Sequence, residues 1–164
     1  MDRNLSFGLH ALTARLDRAA DRILQSEHNV SYRRFLALST ISESGSTTQR
    51  ALAERLGITE PSVSRMTGVL VESGLLDADP HPAGGNRRRL ALTSAGEEMV
   101  AQCYELLEDR LAALVEHSGV PYREYAHHTK QLLAALDDVQ VVAGRPRARV
   151  IATEARSATE GRPA

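Results

Sequence analysis

Residues 49–66, Gln49-Arg50-Ala51-Leu52-Ala53-Glu54-Arg55-Leu56-Gly57-Ile58-Thr59-Glu60-Pro61-Ser62-Val63-Ser64-Arg65-Met66, decide the fold. Leu52, Leu56, Ile58, Val63 and Met66 fall where two short crossed helices bury apolar side chains. Ala53 is small where such helices touch, and Gly57 stands at the tight turn between them. A pair of helices meant only to fill a core has no need of this order. It is the spacing of a helix-turn-helix.

The chemistry of the boundaries agrees. Ser46 and Gln49 make a Ser-x-x-Gln capping box, which satisfies free amides at the first helix start. Gly57, just past Leu56, can adopt the left-handed conformation that ends a helix. Thr59 is placed to cap the second helix, with Glu60 at its positive end and Pro61 in the first turn, where no helix bond is lost. That helix is expected to run to about Ser73 and stop at Gly74. Its inward face is Val63, Met66 and Leu70, with Val69 beside them; its outward face carries Ser62, Ser64, Arg65 and Gly68. A small polar face with one arginine suits a DNA major groove. The alternative is an ordinary helical hairpin within a core.

The next segment favours the first reading. Leu75 to Asp79 can extend, Pro80 to Gly85 is rich in turn residues, and Asn86 to Leu92 alternates polar and apolar. With Leu90 and Leu92 facing the core, Arg88 shares their side, while Arg87 and Arg89 project outward. A two-stranded ribbon with arginines near its tip can reach phosphates or a minor groove. Against this, Asp77 and Asp79 can pair with those arginines as a solvated ladder.

A helix-turn-helix followed by such a wing resembles the MarR (multiple antibiotic resistance regulator) family of bacterial transcription factors. The resemblance rests on Ala51 to Ile58, on Ser62-Val63-Ser64-Arg65-Met66 leading to Leu70 and Glu72-Ser73-Gly74-Leu75-Leu76, and on Leu90-Ala91-Leu92-Thr93 with Ala95-Gly96. It covers roughly residues 5–140 and is most specific from about 46 to 97. Two departures stand out. Asp77 and Ala78 occupy places where the family usually has basic residues. Gly84, Gly85 and Asn86 stand where its wing usually carries Asp-Arg-Arg.

The fold class expected is therefore mainly α: a winged helix-turn-helix, with a three-helix core and a two-stranded β-wing, flanked by dimerisation helices. The divisions are 1–30, an N-terminal dimerisation helix; 31–93, the winged DNA-binding domain; 94–142, connecting and dimerisation helices; and 143–164, a flexible tail. Leu5, Leu9, Leu12, Leu16, Ala19 and Ile23 recur at steps of four and three, an apolar stripe along one helix. A helix over about Tyr32–Ser42 points Phe35, Leu36, Leu38 and Ile41 at the core. A long helix past Ser94, ending near Gly119, shows Met99, Cys103, Leu106, Leu107, Leu111, Leu114 and Val115. A last helix holds Tyr122, Tyr125, Leu132, Leu133, Leu136 and Val139. The winged domain is too small to cover these stripes, so a two-fold homodimer is expected, with a monomer folding its own ends together as the alternative. The resemblance implies that first and last helices interlock in that dimer. Two recognition helices would then meet half-sites ~34–36 Å apart on an inverted repeat.

Composition limits the other classes. The apolar fraction of 42% is ample for a core, yet no run approaches a membrane span and no signal-peptide pattern opens the chain. One cysteine excludes an intrachain disulfide and suits a reducing cytoplasm. The net charge of −1 would not suggest a nucleic-acid partner. Between Thr47 and Thr93, however, six arginines (50, 55, 65, 87, 88, 89) face five acids (54, 60, 72, 77, 79), so the balance is locally less acidic. Catalytic signatures are lacking: there is no Gly-x-Ser-x-Gly, phosphate loop or His-Glu-x-x-His. Six histidines raise metal binding only by number, since none stand at His-x-x-x-His spacing and His127 and His128 point about 100° apart. Cys103 lies on an apolar stripe and reads as core rather than as an oxidant sensor.

The expected DNA contacts are Ser62, Ser64 and Arg65 in the major groove, Arg87, Arg88 and Arg89 on the wing, and Thr47, Thr48 and Gln49 at phosphates. Arg145, Arg147 and Arg149 in the tail are read as solvated. No cofactor and no metal are expected. The resemblance implies a small aromatic or anionic effector in a cleft, for which Tyr32, Arg33, Arg34, His10 and His28 have suitable chemistry, though no family motif maps onto them. The reading is a cytoplasmic, ligand-responsive repressor, a homodimer on double-stranded DNA. The alternative is a winged-helix module for protein–protein interaction without sequence-specific DNA binding, which Asp77, Asp79 and the near-neutral charge support.

Overall fold

The computed structural model describes residues 4–80 and 88–137. Among these the elements are α1 (Leu5–His28), α2 (Tyr32–Ser44), β1 (Thr47–Thr48), α3 (Gln49–Leu56), α4 (Glu60–Glu72), β2 (Leu76–Pro80), β3 (Arg88–Leu92), α5 (Ser94–Ser118) and α6 (Tyr122–Asp137). This is the mainly helical winged helix-turn-helix that the sequence implies. The chain divides after Ser118, and α6 belongs to the second unit.

The turn between α3 and α4 follows from Gly57. Its φ of +63° lets the Gly57 amide reach Glu54 O at 3.3 Å and the Ile58 amide reach Ala53 O at 3.1 Å. These two bonds satisfy the last carbonyls of α3 and fix the crossing of the helices. Gly74, at φ +73°, ends α4 in the same way, with its amide on Val71 O and the Leu75 amide on Leu70 O.

The start of α3 departs from the expected capping box. Thr47 and Thr48 stay extended because they pair with Leu90 and Arg89 of β3. Helix formation therefore waits until Gln49, and the Thr48 hydroxyl, not that of Ser46, accepts the Ala51 amide at 3.2 Å. The same pairing makes the wing part of a three-stranded antiparallel sheet, ordered β1-β3-β2, rather than a two-stranded ribbon.

Two packed clusters hold the first unit together. The larger joins Leu38 and Ile41 of α2, Leu52 of α3, Val63 and Leu70 of α4, and Leu76 and Leu90 of the sheet, with Val100 of α5. The smaller gathers Leu24, Val30, Phe35 and Cys103, with Met99, Leu106 and Leu107 packed around them. Phe35 meets Tyr104 edge-on at 5.1 Å, and the buried Ser39 hydroxyl bonds the Tyr104 hydroxyl. Leu36, expected to point inward, is instead exposed, and Ala37 takes the buried place. Leu5, Leu9 and Leu12 at the start of α1 are exposed, as are Leu114 on α5 and Leu132, Leu133 and Leu136 on α6. Arg87, Val139 and the tail from 143 lie outside the described residues.

Where wing, α4 and α5 meet, the backbones are tightly bound. Thr93 donates its hydroxyl to Gly74 O at 2.7 Å and its amide to Leu75 O at 3.3 Å, and accepts the Gly96 amide at 3.0 Å. Gly96 is buried there, and any Cβ would lie 2.1 Å from the Leu75 oxygen.

Candidate nucleic-acid interface

Helix α4 divides sharply into two sides. Val63, Thr67 and Leu70 are buried, Met66 is half-buried, and Ser64, Arg65 and Gly68 are exposed. Val69, expected inward, is 38% exposed. The helix begins as expected at Thr59, whose carbonyl accepts the Ser62 and Val63 amides. The Thr59 hydroxyl pairs with the Ser62 hydroxyl at 2.9 Å instead of capping an amide. Ser62 is therefore half-buried at the edge of the outer face, not on its crest.

Arg65 has no hydrogen-bond or ion-pair partner among the described residues, and Gly68 has nothing within 4 Å of where a Cβ would be. The crest of α4 thus offers one free guanidinium, one hydroxyl and a gap. That arrangement can enter a groove and donate to base edges without first breaking an internal contact.

The other expected residues differ in their freedom. Thr47 is half-buried opposite Leu90, and Thr48 spends its hydroxyl on the helix cap. Gln49 donates to the Thr67 hydroxyl at 3.3 Å, and Thr67 in turn donates to Ser64 O at 3.2 Å. This chain of bonds ties the start of α3 to the exposed turn of α4. Thr67 was missed as an inward residue because it is polar, although its spacing from Val63 and Leu70 is that of the buried face. On the wing, Arg88 reaches Ala78 O at 3.4 Å. Arg89 stands opposite Asp79 in register and 4.0 Å from its carboxylate, with both side chains exposed. A pair so solvated is weak, and the guanidinium stays available. Asp77 stands opposite Ala91 and has no such arginine.

The residues proposed to line an effector cleft are separated. Tyr32 and Arg33 share a cavity of about 460 Å³ with Asp17, Arg18, Asp21, Arg22 and Leu36, between α1 and α2. Arg34 lines a second groove, beside α4, which Arg33 also borders, and His10 and His28 line neither. Burial, then the negative charges of Asp17 and of an ionised Tyr104, hold the Tyr32 hydroxyl above its ordinary pKa. Cys103 is fully buried, and burial pushes its thiol up to about 11. Among the described residues no group of three or more His, Cys, Asp or Glu side chains is gathered as for a metal, and no helix is long and apolar enough to cross a membrane.

Comparison with known proteins agrees with this geometry. Residues 28–89 match the MarR family profile. An uncharacterized HTH-type transcriptional regulator of Mycobacterium leprae is 31% identical over 137 residues, covering 84% of this chain and 95% of the relative. The chain belongs to the MarR family of transcriptional regulators. An HTH-type transcriptional regulator of Mycobacterium tuberculosis is 28% identical over the same shares of both chains. The fold of apo MarR from Escherichia coli superposes with a TM-score of 0.71 at 23% identity, covering 80% of this chain and 96% of that one. A mutant of that MarR complexed with operator DNA matches with a TM-score of 0.62 at 22% identity, covering 83% and 99%. As a MarR family protein, the chain is a transcription regulator and not an enzyme.

Proposed function

We propose that the chain acts in the cytoplasm as a homodimeric repressor on an inverted-repeat operator, reading bases with Ser64 and Arg65 of α4. The observation that carries this reading is the free, exposed Arg65 on a helix whose opposite side is locked in the core. Ser62 stands at the rim of the contact. Arg88 and Arg89, with Arg87 beside them in sequence, supply the wing contact to phosphate or minor groove. Thr47, Thr48 and Gln49 support α4, and their backbone lies at the phosphate flank. The E. coli protein complexed with operator DNA shows that this fold can hold DNA.

The second copy follows from the apolar side chains left in water. Leu5, Leu9 and Leu12 on α1, and Leu132, Leu133 and Leu136 on α6, are each more than a third exposed. Covering them across a dyad removes that apolar surface from water. A small aromatic or anionic effector is assigned to the cavity of Tyr32, where Arg18, Arg22 and Arg33 outnumber Asp17 and Asp21. It would act by preferring a spacing of the two lobes that no longer suits both half-sites, and only to the extent of its differential affinity.

The test uses the full chain and an operator found by genome-wide footprinting. Arg65→Ala is expected to weaken operator binding roughly five- to 150-fold, the equivalent of about 1–3 kcal/mol for a bidentate arginine–guanine contact. Unchanged affinity at moderate salt defeats the assignment. The acidic Asp77 and Asp79 and the net charge of −1 favour the second reading, a module that binds protein instead, and that reading gains if no operator is recovered.

A further inference from the structure

Beside α4 runs an open groove of about 340 Å³ whose chemistry the base-reading face does not use. Its floor is Ile58, Met66 and Val69, and three arginines stand around it: Arg33 and Arg34 from the first turn of α2, and Arg65 from α4. No acidic side chain lines the groove. Neither Arg33 nor Arg34 has an ion-pair partner among the described residues, and Arg33 is exposed while Arg34 is half-buried. Arg33 also borders the cavity of Asp17 and Asp21, whereas Arg34 and Arg65 face the acid-free groove, where like charges repel and an anion is favoured.

We infer that Arg33 and Arg34 form a phosphate clamp that holds the DNA strand bordering the groove entered by α4. This rests on the DNA-reading role proposed above and extends it to a second element. Ser62, Met66 and Val69 lie along one ridge of α4, adjoining Arg65, so the groove flanks the helix crest directly. A helix seated in a major groove has a phosphate backbone along each flank. Arginines on that flank meet phosphate, not base edges, so they set affinity and register without reading sequence. Ser31 caps α2 by accepting the Arg34 amide at 3.3 Å, and this fixes the first turn from which both side chains depart. The clamp would add two cations beside Arg65 in a chain of net charge −1.

Phosphate contacts are independent of sequence, so the test needs no operator. Binding of the full-length chain to a 30-base-pair mixed-sequence duplex is followed by fluorescence anisotropy across a salt series. Each phosphate contact contributes about 0.9 to the slope of log K against log salt. Arg33→Ala/Arg34→Ala is expected to reduce the slope by roughly two per protomer and to weaken binding at fixed low salt. Arg33→Lys/Arg34→Lys keeps the charge and is expected to restore most of the slope, which a merely structural role would not produce. Arg110→Ala, on the exposed side of α5, is expected to leave it unchanged. An alanine double variant that keeps its helical circular dichroism and the native slope overturns the clamp alone. A native chain that does not bind the duplex overturns the DNA-reading role and the clamp together. Loss of inorganic phosphate binding in the double variant with no change in slope overturns the clamp in favour of a small-anion site.

Discussion

Replacing Gly96 by alanine is expected to destabilise the protein, although glycine is the poorer helix former. A Cβ at this position would lie 2.1 Å from the Leu75 oxygen and 3.1 Å from its carbonyl carbon. Side chains hold off at 3.0 Å or more, so α5 and the Leu75 backbone must separate by about 1 Å. The obstacle is backbone, and it is bound: Leu75 O accepts the Thr93 amide, and the neighbouring Gly74 O accepts the Thr93 hydroxyl. Overpacking of this kind costs about 1–3 kcal/mol, and each strained hydrogen bond adds about 1 kcal/mol. Alanine returns about 1 kcal/mol through helix propensity. The net loss is about 2–4 kcal/mol, a fall in Tm of roughly 4–16 °C for a chain of this size. Gly68→Ala is the control. That glycine lies within α4 and is exposed, with nothing within 4 Å, so the same substitution is expected to stabilise by about 0.5–1 kcal/mol. Thermal and urea denaturation at one protein concentration decide the matter. A Gly96→Ala protein as stable as the native chain, or shifts of the same sign in both variants, would refute the reasoning.

Tyr104→Phe leaves the buried Ser39 hydroxyl without its partner and should cost about 1–3 kcal/mol in urea unfolding, whereas Ser39→Ala, which leaves only a half-exposed tyrosine hydroxyl, should cost less. Cys103 should resist iodoacetamide at pH 8 until the chain unfolds; rapid labelling of the native protein would contradict its burial. Because its thiol pKa is raised from 9.0 to about 11, the folded state keeps a proton that the unfolded state sheds in this range. The contribution is complete below pH 9 and is lost as pH rises towards 11, so stability should decline over that window and decline less in Cys103→Ala. Asp79→Asn removes a charge opposite Arg89 and should tighten duplex binding while changing stability by less than about 0.5 kcal/mol. Leu132→Asp/Leu136→Asp should shift light-scattering mass towards the monomer; an unchanged mass would remove these leucines from the dimer contact.

Local sequence chemistry placed the turn of the helix-turn-helix and the end of each of its helices. Gly57 and Gly74 end their helices because a left-handed residue closes two bonds within six positions, and that requirement is readable in the neighbouring residues. The split of α4 was equally legible for Val63, Leu70, Ser64 and Arg65, since a period of 3.6 assigns faces without knowledge of partners. Contacts between distant residues were not legible. Thr48 replaced Ser46 as the cap only because β3, some forty residues later, held Thr47 and Thr48 extended. Thr67 entered the core because Gln49 and Ser64 O satisfied its hydroxyl there, while Leu36 and Val69 stayed partly exposed because each lines an open groove between helices. The gathering of Arg33 and Arg34 beside Arg65 likewise belongs to the tertiary structure: it depends on how α2 crosses α4, and nothing within either helix encodes that meeting. Sequence determined where each helix starts, stops and turns its apolar side, because those choices are settled within one or two turns. Only the folded chain decided which polar groups find partners and which charges stay free for a ligand.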